Sequence, residues 1–297
     1  MARLRVGYVP EHFSTPLSFA STHHSLDADL IPEPLGTGAL TARLKAPHSD
    51  SNAIDVAVGL TEGFVADLGR AKLAGEDTGY KLSGTYVSSP LCWAIVTGAQ
   101  RAGINGVEDL KGKRVGVSRI GSGSYVMSYV LADQHGWLEQ GKEPFEVVVA
   151  GDFASLRKSV REEGATPSDF FMWEHFTTRK YWEEGEVKRI GEIYTPWASW
   201  MIASRTSAEK EVPGFLEGVN KGVEMFRGKP EQVVKHITGT MHYSEADARE
   251  WMKSVEYPDD VRGVAQETVG NTVNILRKSG VLKGDVGNGQ AMVHQAR

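Results

Sequence analysis

The chain has 297 residues and a formal net charge of −5, with 40% hydrophobic and 24% charged residues. This length suits one large or two ordinary domains, and the composition is that of a globular protein. The mild, mixed charge excludes a strongly basic nucleic-acid or membrane-surface binder. No window approaches the roughly 18 apolar residues of a membrane span. We therefore expect no nucleic-acid partner and no membrane partner.

The beginning of the chain and its cysteine content bear on location. Met1 leads directly into a strand, without an apolar h-region or a cleavage site, so we expect a cytoplasmic protein. The single cysteine, Cys92, can form no disulfide within the chain, which fits a reducing compartment. Its apolar neighbours favour a buried thiol. We expect no metal or cofactor, since no ligand set at metal spacing surrounds His23 and His24.

The first third of the chain alternates extended stretches, polar turns and helical patterns. We predict strands at 4–9 and 54–58, an extended stretch at 30–35, and helices at 17–23, 39–44 and from about 61. Thr61 is expected to cap the third helix and Glu62 to favour its first turn. The apolar stretches 80–87 and 91–96 lack a helical period, so they are interpreted as strands or a long connecting segment.

The central stretch, residues 113–127, is organised as strand, glycine turn and helix. Val115 and Val117 are typical of a strand, and the turn at 121–124 is Gly-Ser-Gly-Ser. Ser122 or Ser124 can cap a helix that begins near Tyr125. Such a turn presents backbone N–H groups and hydroxyls where α/β proteins bind small anions. The alternative is an ordinary tight connection, because the turn matches neither the dinucleotide-binding nor the P-loop spacing.

The remaining pattern continues the alternation and then becomes helical. We predict strands at 145–149 and 169–173, and residues 188–193 lead to an extended crossover at 194–203. Helices are predicted at 152–160, from 174, and at 215–226, 230–240, 244–253 and 261–279. Residues 284–297 are polar and are interpreted as a loose tail. Because strands alternate with helices, we expect mixed sheets covered on both faces. Two long extended stretches, near 88–98 and 194–202, favour two lobes over one sheet.

Five short motifs occur in an order that resembles a known fold. They are the residues 5–9, 36–40, 54–60, 110–117 with 121–124, and 169–174. This order resembles the type II periplasmic-binding-protein fold, within the NMT1/THI5-like (SsuA/THI5) group. Residues 172–178 and 196–200 are similar to the fungal Ca3427-like subgroup. The resemblance covers nearly the whole chain.

The resemblance implies an α/β fold of two lobes, with mixed sheets flanked by helices and two hinge crossings. Lobe I would contain residues 1–92 and 197–297, and lobe II residues 93–196. A ligand would lie in the cleft between the lobes, which would close over it. The partner is then expected to be a small molecule, and the protein is expected to be a monomer.

The loops expected at this cleft combine helix N-termini, hydroxyls, carboxylates, histidines and aromatic rings. The candidate ligand-binding residues are Glu11, His12, Phe13, Thr37, Gly38, Thr61, Glu62, Ser89, Ser118, Ser122, Gly123, Ser124, Glu174, His175 and Trp197. Each helix N-terminus favours an anionic group by about 0.3–1 kcal/mol. The three glutamates favour amine or ring N–H donors, and Phe13 and Trp197 can stack on a flat body. A small zwitterion, or a heterocycle with an acidic group, fits this set better than a simple sugar.

Each of these residues also has a structural interpretation. Glu62 and Glu174 can serve only the first turns of their own helices. His12 and His175 are more often hydrogen-bonded scaffold residues than ligands or bases. Trp197 can be hinge packing. The sequence leaves both interpretations open for each residue.

Two function classes follow, a binding protein and an enzyme on the same fold. The family that the chain resembles includes the fungal pyrimidine synthase of thiamine biosynthesis, which carries a cysteine-rich iron motif. With one cysteine, this chain lacks that motif, so binding without catalysis is favoured. The enzymatic alternative includes lyase chemistry on chorismate-derived compounds, with Glu174 or Glu11 as the base. No residue is assigned a catalytic role.

Overall fold

The computed structural model describes residues 3–139, 142–163 and 166–294. By their contacts these residues form two compact units. Unit 1 contains the chain up to Pro90, Trp197–Asn274 and the part from Leu282 onwards. Unit 2 contains Leu91–Pro196 and Ile275–Val281.

Strands and helices alternate through the first two thirds of the chain, and helices dominate the last third. The strands are β1 (Leu4–Tyr8), β2 (Ala28–Pro32), β3 (Val56–Leu60), β4 (Tyr80–Val87), β5 (Cys92–Gly98), β6 (Arg114–Val117), β7 (Glu146–Val149), β8 (Phe170–Glu174), β9 (Val187–Tyr194) and β10 (Trp200–Arg205). The helices are α1 (Thr15–His23), α2 (Thr37–Lys45), α3 (Thr61–Ala74), α4 (Gly123–Gln134), α5 (Phe153–Val160), α6 (His175–Glu183), α7 (Val212–Gly228), α8 (Pro230–Thr240), α9 (Glu245–Met252) and α10 (Gln266–Lys278). None of these helices is both long and apolar enough to cross a membrane.

Each unit is built on one five-stranded mixed sheet. The order is β2-β1-β3-β10-β4 in unit 1 and β7-β6-β8-β5-β9 in unit 2. In each sheet the three strands first in this order are parallel, and the fourth, β10 or β5, is antiparallel to both of its neighbours. The predicted α/β fold with mixed sheets flanked by helices is confirmed. The continuous apolar runs of β3 and β8 are explained by burial of both faces of the strand.

Several predicted boundaries differ from those observed. The first helix begins at Thr15, after a short 3-10 turn at His12–Ser14, because Pro16 is tolerated in a first helical turn. The prediction that Thr61 caps α3 is wrong, since Thr61 is the first helical residue and Leu60 occupies the cap position. The stretches 80–87 and 91–96 are both strands.

The predicted loose tail is wrong for residues 284–294, and residues 295–297 lie outside the described part. Val286 and Met292 are buried, and the backbone N–H of His294 donates to the carbonyl of Leu82 in β4. Val293 forms a parallel bridge with Leu82. Two well-spaced apolar residues in a polar segment therefore attach this segment to unit 1.

Candidate functional site

The predicted site residues of unit 1 all lie at one edge of its sheet. Glu11–Phe13, Thr37–Gly38 and Thr61–Glu62 follow the parallel strands β1, β2 and β3. Ser89 follows β4, and Trp197 precedes the antiparallel β10, which starts at the same edge. The carboxyl ends of parallel strands in α/β sheets are the usual position of ligand sites.

Glu62 and Trp197 form a buried polar pair at this edge. Glu62 is 1% exposed, and the indole Nε1 of Trp197 donates a hydrogen bond to its Oε2 at 3.2 Å. Thr61 fixes the segment that carries the tryptophan, because its Oγ1 donates to the carbonyl of Ala198 and its N–H donates to the carbonyl of Ser199. The first turn of α3 favours the carboxylate charge of Glu62. Both side chains are thus held in place by the fold.

His12 and Phe13 belong to a buried aromatic cluster. Phe13 stacks on Trp200 with centroids 5.3 Å apart and planes at 25°. The Nδ1 atom of His12 lies 2.8 Å from the hydroxyl of Tyr243, and its ring packs edge-on against Trp251. In unit 1, the structure therefore packs Phe13 against Trp200 and gives His12 a scaffold environment.

The hydroxyl oxygens of Thr37 and Ser89 accept hydrogen bonds from backbone N–H groups. The N–H of Leu60 donates to Oγ1 of Thr37 at 2.9 Å, which ties the start of α2 to the end of β3. A Cβ at Gly59 would lie 2.8 Å from the same oxygen, so only glycine fits there. The N–H of Glu256 donates to Oγ of Ser89 at 3.0 Å. These two hydroxyls shape the loops.

In unit 2, the central glycine turn forms the N-terminus of α4. Ser122 is the N-cap, with its Oγ accepting from the N–H of Tyr125 at 3.3 Å, as predicted. The hydroxyls of Ser122 and Ser124 lie 3.0 Å apart, and the N–H of Ser118 donates to Oγ of Ser124 at 3.4 Å. Gly123 is the first helical residue. These hydrogen bonds hold the turn at the N-terminus of a 12-residue helix, which is the positive end of its dipole.

Glu174 holds a position in unit 2 that resembles that of Glu62 in unit 1. It ends β8, is 5% exposed, and caps α6 by accepting from the N–H of Thr177 through Oε2 at 2.6 Å. Each unit thus places one buried glutamate at a strand-to-helix junction beside the carboxyl end of its sheet.

His175 adjoins a group of side chains that the sequence analysis did not find. Its Nδ1 lies 3.7 Å from Sγ of Cys92 and 3.8 Å from Oε2 of Glu192. Burial lowers the pKa of His175 and raises the pKa of the Cys92 thiol to about 12. Cys92 is only half-buried, which corrects the expectation of a buried thiol. The three residues come from β5, α6 and β9, and their separation in sequence concealed the cluster.

A cavity of about 650 Å³ lies at the other edge of the unit 2 sheet. It is lined in part by Gly98 at the end of β5 and by Lys113 and Asp169 just before β6 and β8. None of the predicted site residues is among its described lining residues.

Comparisons with known proteins place this geometry in context. Residues 93–193 match the family model of the Ca3427-like PBP. The chain is similar to the CA3427 gene product of Candida albicans, which defines a protein family with the generic periplasmic binding protein fold. The TM-score is 0.87 and the identity 35%, over 99% of this chain and 96% of that chain. No curated protein matches the sequence.

Two more distant structures share the fold. The alkanesulfonate-binding protein SsuA of Xanthomonas axonopodis pv. citri, bound to MOPS, gives a TM-score of 0.77 at 14% identity, over 100% of this chain and 99% of that chain. The periplasmic nitrate-binding protein NrtA of Synechocystis gives a TM-score of 0.69 at 10% identity, over 98% and 85%. At these identities the similarity shows the fold alone.

Proposed function

Because the chain belongs to the Ca3427-like family of proteins with the periplasmic-binding-protein fold, we propose that it binds a small metabolite and releases it unchanged. The proposed ligand is a small heterocycle or zwitterion that carries an acidic group and at least one N–H donor. The fold alone does not fix this function, so the proposal rests on the side chains at the sheet edges.

One observation carries the proposal, namely the buried glutamate at a strand-to-helix junction in each unit. Glu62 is 1% and Glu174 5% exposed, although burying a carboxylate is costly unless it is hydrogen-bonded or paired. The protein supplies Glu62 with the Trp197 indole and Glu174 with a backbone N–H. A carboxylate can accept several hydrogen bonds, so it can bind an amine or ring N–H of a ligand in addition to contacts within the protein.

Within unit 2, the N-terminus of α4 is by itself a candidate site for an acidic group of a ligand. Backbone N–H groups and the positive helix end favour an anion there, and Ser122 and Ser124 add hydroxyls. Two proteins that share the fold bind an alkanesulfonate and nitrate, both small oxoanions. We therefore place sulfonates and nitrate in the ligand panel, beside pyrimidines, thiamine precursors, amino acids and aromatic acids.

The test is a thermal-shift screen of the full chain against this panel, followed by calorimetry and mass spectrometry of each hit. A ligand that binds the folded state raises the melting temperature by mass action. Glu62→Gln keeps the shape of the side chain and removes its charge. We expect it to weaken binding of an N–H-bearing hit by roughly 10-fold or more, as expected when a charged hydrogen bond worth about 1.5–3 kcal/mol is lost.

The matched control is Asp67→Asn, which neutralises a partly buried acid of the same helix that contacts Lys45 and Tyr80. Its binding is expected to equal that of the unchanged protein. Equal loss in both variants would sink the assignment of Glu62 to the ligand. A hit that mass spectrometry finds converted would replace the binding function with an enzymatic one. The expected cytoplasmic location and monomeric state stay predictions.

A further inference from the structure

Three potential metal ligands of different chemical types converge in unit 2. They are Cys92 at the start of β5, His175 at the start of α6 and Glu192 near the end of β9. Each residue offers one donor atom: the cysteine Sγ, a histidine ring nitrogen and a glutamate carboxylate oxygen. These three atoms lie within 4.8 Å of one another. Within the described ranges, no other group of three such donors comes as close together.

The sheet register explains why these side chains meet. Ala94 of β5 stands opposite Glu192 of β9 and Trp173 of β8, so their side chains point to the same face. Cys92 lies two residues before Ala94 and therefore shares that face. β8 leads directly into α6, which begins with His175 at the same edge of the sheet.

The distances fit one ion bound by all three residues. Tetrahedral zinc with ordinary bond lengths places a sulfur and a nitrogen ligand about 3.6 Å apart, and a nitrogen and an oxygen ligand about 3.4 Å apart. The observed separations are 3.7 Å for Sγ to Nδ1 and 3.8 Å for Nδ1 to Oε2. These two separations exceed the ideal values by a few tenths of an ångström, and the third pair of donor atoms, Sγ and the carboxylate oxygen, lies within 4.8 Å.

The geometry also argues against a catalytic triad. In a nucleophile–histidine–acid arrangement, the nucleophile and the acid contact opposite nitrogens of the imidazole ring. Here Cys92 and Glu192 both face the same nitrogen, Nδ1 of His175. A bound metal ion requires this arrangement, in which the three donor atoms face one common point.

The surroundings are compatible with a cation. The nearby carboxylate of Glu174 adds negative charge, and imidazole is a common zinc ligand. Arg189 donates to Oε2 of Glu192 at 2.9 Å and the Tyr194 hydroxyl donates to Oε1 at 3.2 Å. A bound ion would share or replace the contact with Arg189.

We propose that Cys92, His175 and Glu192 bind one divalent transition-metal ion of the zinc class, with a coordination position left for water or an added ligand. A thiolate, an imidazole and a carboxylate are the ligand types of zinc, and three protein ligands are typical of open zinc sites. The ion would deprotonate the thiol on binding. This proposal does not require the metabolite-binding function, although His175 is also one of the predicted ligand-binding residues.

The test uses the full, tag-free chain stripped with a chelator and titrated with Zn²⁺ and Co²⁺. We expect one Zn²⁺ per chain by calorimetry and by metal analysis after dialysis. Co²⁺ should give intense visible bands of a tetrahedral site and a near-ultraviolet thiolate-to-metal charge-transfer band. Cys92→Ser should abolish the charge-transfer band. His175→Asn and Glu192→Gln should each weaken Zn²⁺ binding by more than the roughly 10-fold that loss of an outer-shell partner costs.

The matched control is His135→Asn, which changes a partly exposed histidine of unit 2 whose ring contacts Glu108. It should leave Zn²⁺ binding unchanged. Circular dichroism checks that each variant is folded, and Glu192→Gln keeps the test decisive because this side chain is 38% exposed. Absence of the charge-transfer band in the unchanged protein overturns the proposal. It is also overturned if folded Cys92→Ser and folded Glu192→Gln bind Zn²⁺ with the same affinity as the unchanged protein.

Discussion

An arginine–aspartate pair of the same kind joins two parallel strands in each of the two sheets. In unit 1, Asp55 accepts from the backbone N–H of Arg5 at 2.9 Å and from its Nε at 3.3 Å. In unit 2, Asp169 accepts from the backbone N–H of Arg114 at 2.8 Å and from its Nε at 3.2 Å. Each aspartate precedes a strand and holds the first residues of its parallel neighbour. This contact joins the two parallel strands near their first residues in each unit.

Asp169→Asn should destabilise the protein by about 1–3 kcal/mol near neutral pH, because it removes a charged acceptor of several hydrogen bonds. Burial raises the pKa of the Asp169 carboxyl, but hydrogen bonds from Arg114 and the charges of Arg101 and Arg114 outweigh it and hold the pKa below its ordinary value. A depressed pKa contributes stability above the unfolded value of about 3.9, which is lost as pH falls through the folded value.

The measurement is the free energy of unfolding in urea as a function of pH. The gap between the unchanged protein and Asp169→Asn should be constant above about pH 5 and shrink below about pH 4. Asp27→Asn is the control, because that side chain is 87% exposed and its pair with Arg3 should contribute little. A gap that does not change down to pH 2 would contradict the role of the carboxylate charge.

At the scale of elements, close helix packing depends on glycines that the sequence pattern cannot interpret. Helices α1 and α7 of unit 1 pack tightly at Gly222, where a Cβ would overlap the carbonyl oxygen of Pro16 and lie 3.0 Å from the N of Ala20. Gly214, in the same helix, has open space around its Cβ position. The two glycines look alike in sequence and differ in their surroundings.

Gly222→Ala and Gly214→Ala should therefore change stability in opposite directions. The first should cost about 1–3 kcal/mol or more, because the clash is with backbone that cannot rotate away. The second should be neutral or stabilise by up to about 1 kcal/mol, since alanine favours helix. Urea unfolding of the two variants measures both. Equal effects would mean that the approach of α1 and α7 is not limited by Gly222.

The buried strands were easier to predict from the sequence than the boundaries of the elements. The buried runs of β3, β6 and β8 are apolar enough to be identified without the structure, and the caps Ser122 and Asp152 follow from local residue preferences. Boundaries shifted by about two residues where a neighbour decided them. Thr61, for example, looks like a cap, but its hydroxyl is bound by a carbonyl over 130 residues away.

At the scale of the whole molecule, the order of motifs predicts the fold, whereas contacts between distant residues are visible only in the structure. The candidate glutamates could be named because each follows a strand. The Cys92, His175 and Glu192 cluster could not, since its first two members are 83 residues apart and meet through the β8-β5-β9 register. Sequence reasoning from spacing finds local ligand sets and misses those assembled by a sheet.

Residues 292–294 attach to the edge strand β4 of unit 1. Met292 is 3% exposed, and the neighbouring residues Val293 and His294 contact Leu82 of β4. The contact joins residues that are about 200 positions apart in the sequence, so it has a high sequence separation. Val261 and Gly263 contact the same strand at Thr85 and Ser83.

Met292→Ala should destabilise the protein by about 2–5 kcal/mol, because it removes a buried side chain and leaves a cavity. Amide hydrogen exchange should show lost protection in β4 of unit 1 before any loss in β6 of unit 2, since local openings follow local contacts. Gln290→Ala is the control, because its side chain is exposed two residues away. If Met292→Ala instead lowered protection equally in β4 and β6, the C-terminal segment would stabilise the whole chain rather than the edge of one sheet.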